Sequence, residues 1–125
     1  MRYTLLLHYP EMSPEMLGEE AQREGERAYR SYTAALHAAG VLISAEVLQP
    51  SQSTTTLSRP HGDLRVQDGP FADTKEQLGG TVVIDVPDLD AAIDWAKRAP
   101  NVDYGTVEVR PGAVYTVDGE WRQNA

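Results

Sequence analysis

Cysteine is absent from the 125 residues, phenylalanine occurs once, and 11 basic side chains face 19 acidic ones, for a formal charge of −8. Without cysteine there are no disulfides, thiolate metal sites or cysteine nucleophiles, and nothing argues for an oxidising compartment. The shortage of Lys and Arg speaks against binding a nucleic-acid backbone, which needs clustered cations to neutralise phosphates. No apolar run approaches the roughly 20 residues of a membrane helix. No basic segment at the N-terminus leads into an apolar signal-like stretch. A cytoplasmic protein is therefore expected, with neither nucleic acid nor membrane as partner. No internal repeat is visible, and the only low-complexity tract is the polar run over 51–56.

What is present fits a single domain over residues 1–125. A chain of this length buries roughly two thirds of its unfolded surface, enough for one modest core. The acidity is uneven: residues 1–66 carry 6 basic and 8 acidic side chains, and residues 67–125 carry 5 and 11. No block of like charge is long enough to read as a disordered tail.

Residues 2–9 alternate as a strand, with Tyr3, Leu5, Leu7 and Tyr9 on one face and Arg2, Thr4, Leu6 and His8 on the other. Ser13 and Pro14 open a helix that runs to about residue 39 and stops at Gly40. Its apolar stripe is Ala21, Ala28, Tyr29, Tyr32, Ala35, Leu36 and Ala39, and Gly18 and Gly25 weaken it enough to detach its first turn. Residues 41–48 read as a buried strand, with Ser44 and Glu46 on the side opposite Ala45. Residues 54–59 and 64–67 flank a Pro-His-Gly-Asp turn as a hairpin. A loop over 68–80 precedes a strand over 81–86. Asp88 caps a helix over 89–99, residues 105–110 form a strand, and 113–118 a last strand before a polar tail.

This order is α+β: ferredoxin-like β-α-β repeats with an added hairpin, both helices on one sheet face. The other face is then uncovered, and alternation assigns it Thr81, Val83, Asp85, Thr106, Glu108 and Arg110 beside Leu6, His8, Ser44 and Glu46. That face is either ordinary solvent-exposed sheet or the seam of a symmetric homodimer enclosing a small cleft. For the second reading, His8 is the candidate proton carrier, oriented by Glu46 or Asp68. Arg110 would hold an anionic group, with Asp85 and Glu108 as further ligand contacts. No spacing requires a metal, and no cofactor motif is present: Gly79-Gly80 precedes a strand and lacks the Lys-Ser/Thr of a phosphate loop. Asp68-Gly69-Pro70-Phe71 is a stiff turn. It either anchors Phe71 in the core or presents Asp68 and Phe71 to a ligand.

The run DGPFADTKEQLGG over 68–80 resembles the signature of the DGPF-type, YCII-related protein family. The segments around Gly40–Glu46, Leu48-Gln49-Pro50, Asp85–Asp90, Trp95-Ala96 and Val107–Pro111 resemble its other blocks in order. The resemblance implies a ferredoxin-like, dimeric α/β-barrel fold. It also implies either a small enzyme or small-molecule binder, or a regulatory partner of an extracytoplasmic-function sigma factor. Shorter relatives are credited with a His–Asp pair whose histidine falls on the first helix, where this chain has Tyr29 and Tyr32. Ser44-Ala45 stands before Glu46 where the family usually has two glycines, and Asp73 replaces its usual Glu.

Overall fold

The computed structural model describes residues 1–125. Its centre is two strands whose alternation leaves no ambiguity about which side is apolar. Strand β1 (Arg2–Pro10) buries Tyr3, Leu5 and Leu7, and β5 (Glu76–Asp85) buries Val82 and Ile84 on the same side. They pair antiparallel at the middle of a four-stranded sheet, flanked by β2 (Leu42–Val47) and β6 (Thr106–Pro111) in the order β2-β5-β1-β6. Both flanking pairs are antiparallel as well.

The helices supply the second layer. Ser13 caps α1 (Pro14–Leu17) by accepting the Met16 N–H, and Gly18 at φ +88° separates this single turn from α2 (Glu19–Ala38). The detached first turn is thus as expected. Tyr32 and Leu36 of α2 join Ala92 and Ala96 of α3 (Leu89–Ala96) over the buried side of β1 and β5. Asp88 accepts the Ala91 N–H and starts α3. The result is an α+β layer structure with three helices and no closed barrel within the chain. Two small antiparallel hairpins are added, β3 (Thr55–Ser58) with β4 (Arg65–Asp68), and β7 (Val114–Val117) with β8 (Glu120–Gln123).

Five expectations are corrected. First, β2 is an exposed edge strand. A bulge between Leu42 and Ser44 turns Leu42 toward the core opposite Ile84, which alternation alone had put on the other face. Second, Ala21 and Ala28 are exposed, so α2 packs only over its second half. Third, β5 begins at Glu76 instead of residue 81 and contains the glycine pair. A Cβ on Gly80 would lie 2.9 Å from the Glu46 carbonyl oxygen, so the neighbouring strand favours glycine there, and one on Gly79, 2.1 Å from Tyr9 Cζ, would displace the Tyr9 ring. Fourth, the chain ends in the β7–β8 hairpin, not a polar tail. Asp118 at φ +51° and Gly119 at φ +80° form its two-residue turn, the pattern of a type I′ hairpin. Fifth, of the two readings of the Asp68–Phe71 turn the core anchor fails, because Phe71 is 94% exposed.

The packing makes a contrast within one helix. Leu36 is fully buried, and Leu36→Ala should lower the unfolding free energy by about 2–5 kcal/mol. Ala28→Ser, on the uncovered half of the same helix, should stay within about 0.5 kcal/mol of wild type. Urea denaturation measures both, and equal effects would contradict this layer assignment.

Candidate functional site

The sheet face away from the helices carries polar side chains in register. Pairing across β1 aligns Leu6 with Thr81 on one side and Glu108 on the other, and His8 with Leu78 and Thr106. Glu46 pairs with Thr81, so Glu46, Thr81, Leu6 and Glu108 form one row across four strands. Half-buried Leu6 and Val83 make an apolar floor between the polar groups.

At one end of this face His8 Nε2 lies 2.6 Å from Glu108 Oε1, a diagonal cross-strand contact with both side chains partly open to solvent. Beside it the Thr106 hydroxyl donates to Glu76 Oε1 at 3.0 Å. Behind it Asn101, fully buried in the short 3-10 turn Pro100–Asp103, donates from Nδ2 to the carbonyls of both His8 and Thr106 at 3.1 Å. His8 and Thr106 are cross-strand partners, so one amide clamps the ends of β1 and β6 where the imidazole projects. Gly105 permits the approach: a Cβ there would sit 2.1 Å from the His8 carbonyl oxygen. The His8–Glu108 contact, with a carboxylate as one partner, is stronger than a neutral hydrogen bond and fixes the ring's orientation.

The structure brings together His8 and Glu108, and this corrects the expected pairing, because both expected orienters, Glu46 and Asp68, stand apart from His8. Glu46 lies two strands from β1, roughly 10 Å at the usual strand spacing, and makes no ion pair with His8. Asp68 closes the separate β3–β4 hairpin opposite Thr55, and its carboxylate makes no bond to His8 either. The adjoining turn is held by the Gly69 N–H donating to Thr54 O and the Thr56 hydroxyl donating to Gly69 O. Asp85 accepts from the Met1 ammonium at 3.0 Å. Arg110 sits two residues beyond Glu108 on the same face, opposite Thr4. No three His, Asp or Glu side chains converge as a metal-ligand set.

Sequence reasoning missed Asn101, whose only sequence signal is a polar residue directly after the proline that ends a helix. It also missed a phenol cluster on the helix side. The rings of Tyr9 and Tyr104 meet edge to face at 6.3 Å, and the Tyr9 hydroxyl donates to Gly79 O. Burial raises the pKa of Tyr9, Tyr29 and Tyr104 above the usual phenol value. Neighbouring phenols reinforce the rise at Tyr9 and Tyr29. Tyr32, donating to Trp95 O at 2.8 Å, is pushed up to about 12 by burial, partly opposed by the Arg98 guanidinium. A hollow of about 330 Å³ lined by Ala28, Ser31, Tyr32, Arg98 and Pro100 adjoins this helix layer. It contains neither His8 nor Glu108.

Two comparisons place the chain. Residues 1–114 match the model of the YCII-related domain family. An uncharacterised protein of Rhizobium meliloti (strain 1021) is 40% identical over 100 residues, spanning 76% of this chain and 81% of the relative.

The buried phenols set the alkaline limit of the fold. A raised folded-state pKa means that the neutral form is favoured by folding. This stabilisation is complete below the unfolded tyrosine value of about 10 and is lost as pH rises through about 12 for Tyr32. The urea midpoint should therefore fall between those values, and Tyr32→Phe should flatten part of the slope while costing about 1 kcal/mol for the lost hydrogen bond at neutral pH. A midpoint constant across that interval would refute the assignment.

Proposed function

The chain belongs to the YCII-related domain family, and from that premise we propose that it acts as a homodimer in which paired sheet faces enclose a polar cleft for a small molecule. In this reading the β-α-β halves are ferredoxin-like and two copies complete a dimeric α/β-barrel. The observation that carries it is the 2.6 Å contact between His8 Nε2 and Glu108 Oε1 on the face the helices leave open. Glu108 orients the imidazole and stabilises the imidazolium formed when His8 accepts a proton from a bound substrate, and His8 returns the proton at a second atom. His8 Nδ1 has no partner within the chain and is the atom offered to substrate. Arg110, on the Glu108 strand, holds an acidic group of the same molecule by its planar fork of donors. Asn101 is a positioning residue, acting through the backbone of His8. Glu46, Asp85 and Thr81 line the remainder of the cleft, and a second copy is the partner that removes it from bulk water.

Light scattering at micromolar concentration should give the mass of a dimer. A thermal-shift screen of small organic acids should raise the melting temperature by several degrees when a ligand is present at about 100 times its Kd. Glu108→Gln and His8→Asn should each abolish turnover of that ligand, with Glu108→Gln keeping most of the binding. A monomer that responds to no ligand would sink this reading. A non-catalytic partner of an extracytoplasmic-function sigma factor would then be the reading to test by pull-down.

A further inference from the structure

The opposite end of the open face presents a different chemistry. Arg2 is half-buried, its Nε is shielded from solvent without a hydrogen-bond partner, and its guanidinium donates to no acceptor in the chain. Its Cζ lies over the Tyr115 ring, 3.8 Å from the centroid. Tyr115 pairs across the C-terminal hairpin with Arg122. Arg110 lies diagonal to Arg2, because Thr4, two residues along β1, is its direct partner. Register and stacking thus set arginines from β1, β6 and β8 at neighbouring positions on one corner of a protein whose net charge is −8.

Nearby acids do not neutralise this corner. Asp85, directly opposite Arg2 in register, gives its Oδ1 to the Met1 ammonium at 3.0 Å. Glu120 shares the Arg122 face of the hairpin, yet no ion pair joins it to any of the three arginines. Glu108 is engaged with His8. The close ion pairs of the chain are Met1–Asp85, His8–Glu108 and Lys97–Asp94, and none includes an arginine.

The corner is also built, not incidental. Asn124 accepts the Arg2 N–H at 2.7 Å and donates to the carbonyls of Arg2 at 2.9 Å and Gly112 at 2.7 Å, fastening the end of the hairpin to the start of β1. A half-buried guanidinium without an acceptor is unfavourable unless something supplies one. Stacking on tyrosine preorients it without consuming its donors.

We infer that Arg2, Arg122 and Arg110 form an oxyanion-binding site, closed by the β7–β8 hairpin, for the carboxylate or phosphate group of a small molecule. It rests on the reading of the open face as a ligand surface and names the charge class that surface takes. It does not depend on proton transfer by His8. Arg2 and Arg110 lie within the stretch matched by the family model, and residues 115–125, most of the hairpin, lie beyond it.

Titration of the full chain with inorganic phosphate and, separately, with succinate, followed by the side-chain Nε–H resonances of arginine and by calorimetry, tests this directly. The Arg2 and Arg122 resonances should move with saturation, and affinity should fall steeply with added chloride. Arg122→Gln, a solvent-exposed change that leaves the fold intact, should weaken binding about tenfold or more. Response to phosphate alone assigns a phosphate, response to succinate alone assigns a carboxylate, and response to both assigns a general oxyanion site. If neither anion moves either resonance at tens of millimolar, or Arg122→Gln binds as tightly as wild type, the inference is overturned. No activity is read, so failure of the His8–Glu108 reading would leave this result unaffected.

Discussion

Both packed helices lie on one face of the sheet, and that one-sided covering decides everything downstream. Leu36 of α2 and Ala92 of α3 close over Leu5, Leu7, Val82 and Ile84, and the resulting cluster holds nearly every fully buried side chain. Because side chains on a strand alternate strictly, burying those residues commits Leu6, His8, Thr81, Val83, Thr106, Glu108 and Arg110 to the far side. The core thereby arrays the candidate site on the opposite face.

Within that frame, glycine and one asparagine set the finer placement. The β1–β5 register breaks between Leu7 and His8, where Gly79 is the extra residue and Tyr9 lies across it. A bulge of this kind re-aims side chains at the end of a ladder, and His8 is the first residue past the break. Asn101 then ties the same end of β1 to β6. The imidazole is thus positioned by backbone contacts at the strand end, and its Nε2 meets Glu108.

Much of this was legible in the residues because strict alternation is a strong signal where one face is apolar. Tyr3, Leu5 and Leu7, then Val82, Ile84 and Val86, and Thr106, Glu108 and Arg110 all fall on the faces read from the sequence. The reading failed where alternation is interrupted. Ile43 is the bulge residue that turns Leu42 inward, and Gly79-Gly80, lacking side chains, hides the first half of β5 from any pattern based on polarity. Asp118-Gly119 is a strong hairpin turn signal, but the polar residues after it conceal a strand that has no buried face. For the site, the residue types were legible and the partnership was not. The sequence reading names Glu46 or Asp68 as the partner of His8 and Glu108 only as a ligand contact, and it is the three-dimensional diagonal between β1 and β6 that pairs Glu108 with His8 instead.

The C-terminal hairpin raises a stability question that its position answers. Two strands alone are marginal in water, and the exposed Trp121 shows that β8 buries little. What holds β7 and β8 in place is therefore not a core but their attachment to the first residues of the chain: Asn124 on the Arg2 backbone, and Tyr115 under the Arg2 guanidinium. The attachment costs Arg2 part of its hydration, a penalty that an isolated hairpin on the acidic surface would have no reason to incur. An acidic field disfavours anions over the molecule as a whole, so a surface that admits one needs several cations at a single point. Through Tyr115 under the Arg2 guanidinium, the hairpin sets its cross-strand partner Arg122 beside the corner that Arg2 and Arg110 share on the sheet.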